Sequence, residues 1–175
     1  MAFFSSFFDN ISDLHFYFDN SVVSALKPHI LQLPDIFFHR LFNLLSKDYV
    51  VGVVNPKTIL KAVLPALKKS CPAKFVVVNG FISGFELVSS LSDVDVVLCE
   101  PVSFSEAGFC FPPSDLKFLK NKPFFACASL IQYSVVVPDS CDVLDKGRLV
   151  CESGVLNLEN AVLEVRSFFP FFTDF

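Results

Sequence analysis

Four short, largely apolar runs, most of them valine-rich, limit what this chain can fold into: residues 49–54, 75–78, 95–99 and 123–129. A strand with one wet face alternates apolar and polar residues, whereas a strand buried on both faces reads as a continuous apolar run. Burial on both faces requires a layer on each side. The stretches between the runs supply it, because residues 57–69, 84–91 and 116–122 carry helical spacing. Strands alternating with helices predict a parallel sheet with right-handed crossovers. The expected class is therefore α/β, with a small, mostly parallel sheet and flanking helices.

A helical segment is expected in front of that sheet. Residues 9–25 mix aromatic and polar side chains at helix-like spacing, and Pro34 is expected to open a second helix with an apolar stripe of Ile36, Phe37, Leu41, Leu44 and Leu45. The division of the chain is then residues 1–47, packed on the core, and residues 48–175, the α/β domain. Pro65 falls inside the helix of residues 57–69 and is expected to kink it or end its first part. Gly108 is placed in a loop. A hairpin is placed around Lys146-Gly147, and a last helix over residues 158–169.

Composition narrows the function classes. The chain of 175 residues is 53% hydrophobic and 18% charged, with 23 phenylalanines, no tryptophan and a net charge of -4. A core of this size cannot hide so many aromatic rings, so some aromatic surface is expected to remain for a partner. Coding bias is the alternative source of the phenylalanine, and it gives the chain the compositional look of a coronavirus-type viral accessory protein. No basic stripe exists, which argues against nucleic acid. The longest apolar run, residues 123–137, is too short and too interrupted to span a bilayer. The start lacks a positively charged leader, so a cytoplasmic protein is expected. The six cysteines are dispersed and the three histidines lie far upstream of most of them. Free thiols, no metal and no cofactor follow.

The order of motifs carries a family resemblance over residues 49–169. A strand, a helix and a strand are followed by Ser83-Gly84-Phe85-Glu86, the Asp-hydrophobic strand Asp95-Val96-Val97-Leu98, a glycine turn at Gly108, and Asn121-Lys122-Pro123-Phe124-Phe125 entering the last core strand. This resembles the C-terminal Rossmann-like half of the regulatory (alpha, beta and delta) subunits of translation initiation factor 2B and their sugar-phosphate isomerase relatives. Two departures stand out. Residue 91 runs almost directly into residue 93, where the family has another strand and helix, so one βα unit is expected to be missing. The isomerase tip of glycine, alanine and aspartate is replaced by Glu100-Pro101-Val102, and the phosphate-orienting turn by residues 112–116. Valine exchanges no proton and proline offers no backbone donor. The resemblance implies a binding protein without enzymatic activity, with initiation factor 2B or initiation factor 2 as partner, acting against stress-induced translational shut-off. It also implies possible homo-oligomerisation.

Two sets of candidate residues result. The partner-binding candidates are the aromatic pairs near the chain ends, Phe3, Phe4, Phe7 and Phe8 together with Phe168, Phe169, Phe171 and Phe172. The same rings equally suit a staple of the front helices to the sheet. A ligand rim is expected where parallel strands end, at Asn55, Asn79, Gly80, Ser83 and Glu100. Residues 79–84 superficially suggest a phosphate cradle, but lack its glycine spacing and lysine. No catalytic residue is assigned. A small sugar-phosphate or nucleotide enzyme and an oligomeric structural protein are the alternative readings.

Overall fold

The computed structural model describes residues 20–168 other than 46, 135, 136 and 138. Its centre is a seven-stranded sheet built from β1 (Val50–Val54), β2 (Lys74–Val78), β3 (Glu86–Leu87), β4 (Val96–Cys99), β7 (Phe125–Cys127), β9 (Arg148–Cys151) and β10 (Gly154–Leu156). The order across the sheet is β10-β9-β7-β4-β1-β2-β3, and only β10 is antiparallel to its neighbour. The valine runs behave as their unbroken character demands: Val51, Val53, Val77, Leu98 and Ala126 have no exposed surface. A mostly parallel α/β sheet with flanking helices is the observed class.

Helix α1 (Asn20–Leu44) precedes β1, and α2 (Thr58–Ser70) joins β1 to β2. The expected helix start at Pro34 is corrected, since Pro28 and Pro34 both lie inside one continuous α1. The face of α1 turned to the core carries Ile30, Leu33, Phe37 and Leu41, and Leu45 just past its end continues this stripe, whose spacings of three and four pass straight by Pro34. Burial along that stripe outweighs the backbone hydrogen bond a proline deletes. Ile36 and Leu44, placed on the stripe from the sequence, are only half buried. Pro65 also stays inside its helix, α2.

Three further expectations are corrected. Residues 84–91 form no helix: Gly84 takes φ 84°, and the chain then enters the edge strand β3 beside β2. Gly108 does not lie in a loop but opens β6 (Gly108–Phe111), which pairs with β5 (Ser103–Ser105) and β8 (Asp142–Leu144) in a separate three-stranded sheet. Lys146-Gly147 is not a hairpin turn, because β8 and β9 belong to different sheets; the hairpin joins β9 to β10 through Glu152-Ser153. Gly147 has φ 96°, and a Cβ there would sit 2.7 Å from the Phe124 ring. The short helix α3 (Pro113–Leu119) starts earlier than expected, and α4 (Leu158–Phe168) closes the described chain.

The small sheet takes much of the aromatic load. Phe104, Phe109, Phe111, Phe124 and Tyr133 form a chain of edge-to-face and tilted contacts with ring centroids 5.6–6.5 Å apart. Phe81, at 60% exposure, and Phe42, at 39%, supply the exposed aromatic surface that composition implied.

The connection from β3 to β4 is a strap of residues 88–95 that contains no helix. It travels from the sheet edge back across β2 and β1 to reach β4. The crossover through α2 moves the other way along the sheet, so two right-handed crossovers place α2 and the strap on opposite faces. Gly52 of β1 makes room for the strap, since a Cβ there would lie 2.7 Å from Leu91 Cδ2 and 3.2 Å from Val94 Cγ1.

Candidate functional site: the strand-end rim

Ligands of open parallel sheets bind beyond the C-terminal ends of the strands, where strand order reverses. That point lies between β1 and β4, where Asn55 and Glu100 follow directly on the strands. Lys57 caps α2 through no side chain of its own, which leaves the amides of the first helical turn to another group. Glu100 supplies it. The Lys57 and Leu60 N–H groups donate to Glu100 Oε2 at 2.5 and 3.2 Å, and the Ile59 N–H donates to Oε1 at 2.8 Å. A helix N-terminus at this position is a ready anion site. Here the anion is the protein's own carboxylate.

Burial dominates the electrostatics of Glu100. Only 5% of the residue is exposed, and desolvation pushes its carboxyl up to about 7 against the opposing pull of the three amides and Lys57. A carboxyl near 7 suits proton transfer in general. At this position both oxygens are engaged by main chain and the side chain is closed off from solvent, so its chemistry is structural.

The asparagines of the rim are held in the same way. Asn55 and Asn79 adopt left-handed φ values of 45° and 53°, a conformation that asparagine tolerates better than other side chains. Their amides converge on buried Asp115 at the start of α3, Asn55 Nδ2 donating to Oδ2 at 3.2 Å and Asn79 Nδ2 to Oδ1 at 2.6 Å. Gly80 lets the two strand tips meet, since a Cβ there would lie 2.8 Å from Pro56 Cδ. Three sequence-chosen rim residues therefore do converge on the strand ends, but the two asparagine side chains are held by Asp115 and Glu100 by the amides that open α2. Ser83 sits on the exposed turn before β3 and joins none of these hydrogen bonds.

A second buried carboxylate, Glu152, was not among the sequence candidates. It follows β9 as Glu100 follows β4. The Leu130 N–H donates to its Oε1 at 2.9 Å; Ser129 Oγ donates to its Oε2 at 2.5 Å, and His29 Nε2 lies 2.6 Å from the same Oε2. Arg40 donates to the Glu152 carbonyl at 2.6 Å. The cluster ties α1 to the rim. It resembles a hydrolytic triad only in composition, because the carboxylate stands between serine and histidine and the histidine does not meet the serine through its Nε2. The readable signal was Ser129-Leu130-Ile131-Gln132, a capping box that the structure forms.

Of the aromatic candidates, Phe3, Phe4, Phe7, Phe8, Phe169, Phe171 and Phe172 lie outside the described residues, and Phe168 ends α4. All six cysteines are free thiols, and burial raises Cys99 and Cys127 well above the usual thiol range. Among the described residues no group of histidine, cysteine and carboxylate side chains is placed to hold a metal, and no helix is long and apolar enough to cross a membrane.

Strand order, parallel pairing and flanking helices define a Rossmann-like α/β domain. The fold is similar to part of that of eIF2B subunits. The chain superposes on eIF2B beta from Chaetomium thermophilum with a TM-score of 0.64 and 10% identity over 84% of its length and 56% of that chain. It superposes on the tetrameric eIF2B-beta2-delta2 complex from C. thermophilum with a TM-score of 0.63 and 10% identity, covering 85% of this chain and 64% of that one. A translation initiation factor eIF-2B from Pyrococcus horikoshii OT3 gives 0.51 and 9% identity over 72% of this chain and 57% of that chain. The chain thus spans less than two thirds of each of these proteins. No protein-family model matches it, and no curated protein matches it in sequence.

Proposed function

We propose that this chain is a non-enzymatic binding protein that engages initiation factor 2B or initiation factor 2 in the cytoplasm and opposes translational shut-off in the integrated stress response. The observation that carries the reading is Glu100. The fold is shared with initiation factor 2B subunits, and the anion-binding N-terminus of α2 at the strand ends is filled by the chain's own carboxylate, held by three main-chain amides. A domain of that shape with a self-filled crevice suits occupation of a partner's surface better than turnover of a small molecule. Assembly with initiation factor 2B-type subunits, or with a second copy, belongs to the same reading. So does the viral origin suggested by composition. The terminal aromatic pairs and exposed Phe81 and Phe42 would act as anchors.

The test is expression of the tagged protein in human cells, followed by affinity capture and quantification of initiation factor 2B and initiation factor 2 subunits. Enrichment of either, together with sustained protein synthesis during stress, supports the reading. Abundant, folded protein that captures neither would overturn it.

A further inference from the structure

The helix-free strap leaves a cleft on the sheet face opposite α2. It lies between residues 89–92 and the end of α3, measures about 430 Å³, and falls within the roughly 300–1,000 Å³ of small-ligand pockets. Its position differs from the rim described above: Lys122 and Ser92 lie just before β7 and β4, whereas Glu100 and Asn55 lie just after β4 and β1.

The lining is one-sided in its chemistry. Ser89, Ser90 and Ser92 bring hydroxyls, Asn121 an amide, and Lys117 and Lys122 two ammonium groups, while no carboxylate lines the cleft. This is a local excess of positive charge on a chain whose net charge is -4. Neither lysine has a carboxylate partner among the described residues, although Lys117 lies over the Phe118 ring at 5.0 Å. The neighbouring acids are otherwise placed: Asp95 accepts the Val50 N–H at 2.8 Å, Glu86 lies 4.0 Å from Lys74, and Asp93 is exposed on the strap. The strap's own donors are likewise uncommitted. Val88 N–H is taken by Val77 and Asp95 N–H by Val50, but the hydroxyls and amides of the three serines between them bond to no described residue. Leu91, buried over Gly52, pins the middle of the strap, so the donors around it are displayed from a fixed backbone.

Hydroxyl and amide donors around two unpaired ammonium groups match a doubly charged oxyanion. We propose that this cleft binds a phosphomonoester, carried either by a small metabolite or by a phosphorylated side chain. The test is titration of the isotopically labelled full chain with O-phosphoserine, glucose 6-phosphate and a short phosphoserine peptide, followed by amide NMR, with the unphosphorylated peptide alongside. Saturable shifts at residues 89–92 and 121–122 are expected from at least one phosphorylated probe. They should weaken at least tenfold in a Lys117→Ala/Lys122→Ala variant, whose substitutions, one exposed and one half-buried, leave the rest of the spectrum in place. Tighter binding of the peptide assigns the phosphate to a protein partner, and tighter binding of either small probe assigns it to a metabolite. Absence of saturable shifts up to about 10 mM, or binding that survives the double substitution, would overturn the proposal.

Discussion

Glu100 and Glu152 occupy equivalent positions in the sheet: each follows a parallel strand and reaches sideways to the amides that open the segment after the neighbouring strand. Glu100 follows β4 and takes the amides of α2 after β1, while Glu152 follows β9 and takes the Leu130 amide after β7. The rim is thus closed twice by the same device, a buried carboxylate answering otherwise unpaired N–H groups.

Truncating Glu100 should therefore empty an anion site. Glu100→Ala leaves three buried amides without acceptors, and the expected loss is about 3 kcal/mol, a fall in Tm of roughly 6–12 °C. The vacated carboxylate site should take up a small anion. Thermal melts of the variant in sulfate and in chloride of equal ionic strength should differ by several degrees more than those of the parent chain. An equal difference in both proteins would show that the amides do not form an anion site once the side chain is gone.

Because burial raises the Glu100 carboxyl from about 4.5 unfolded to about 7 folded, the unfolded chain gives up this proton first as pH rises. Stability from this group is complete below about 4.5 and is lost as pH climbs through about 7, for a total of up to about 3 kcal/mol. Urea unfolding at pH 5 and pH 8 should show the decline. Glu100→Gln, which cannot ionise, should flatten that part of the profile; a slope unchanged in the variant would assign it to other groups.

The Glu152 cluster fastens α1 to the rim, so its loss should register first in that helix. Glu152→Ala is expected to cost about 3 kcal/mol, since it deprives Ser129, Leu130 and His29 of a common buried acceptor. Ser129→Ala should cost about 1 kcal/mol, the amount typical of one hydrogen bond and a cap. Hydrogen exchange should show faster exchange in α1 for the glutamate variant than for the serine variant. Equal protection in α1 would mean that its apolar stripe alone holds it down.

The strands buried on both faces were legible because each of their residues had to be apolar, and Val53 or Leu98 would be costly to replace with anything else. β3 was not legible. Glu86 and Leu87 are both exposed, so neither a run nor an alternation marks them, and their pairing comes from the open edge of β2. The small sheet escaped because its short strands hide phenylalanines whose abundance looked compositional. At the rim, the topology rule found Asn55, Asn79 and Glu100, but the partner that closes the two asparagines, Asp115, is distant in sequence and carries no motif. Glu152 was invisible for the same reason, apart from the capping box of the segment it supports.

The strap offers a last test, because its course depends on a single missing side chain. Gly52 lies in the middle of β1 with an ordinary φ, so alanine there strains no backbone and acts only through space. Its methyl would sit 2.7 Å from Leu91 Cδ2, and the flexible leucine end must move. Gly52→Ala should cost about 1–2 kcal/mol by overpacking, and Leu91→Ala in the same chain should recover part of that loss. Denaturation of the two single variants and the double variant measures the coupling. Simple additivity would mean that Leu91 does not rest on Gly52, and the strap would then lack the anchor that holds its serine donors in place.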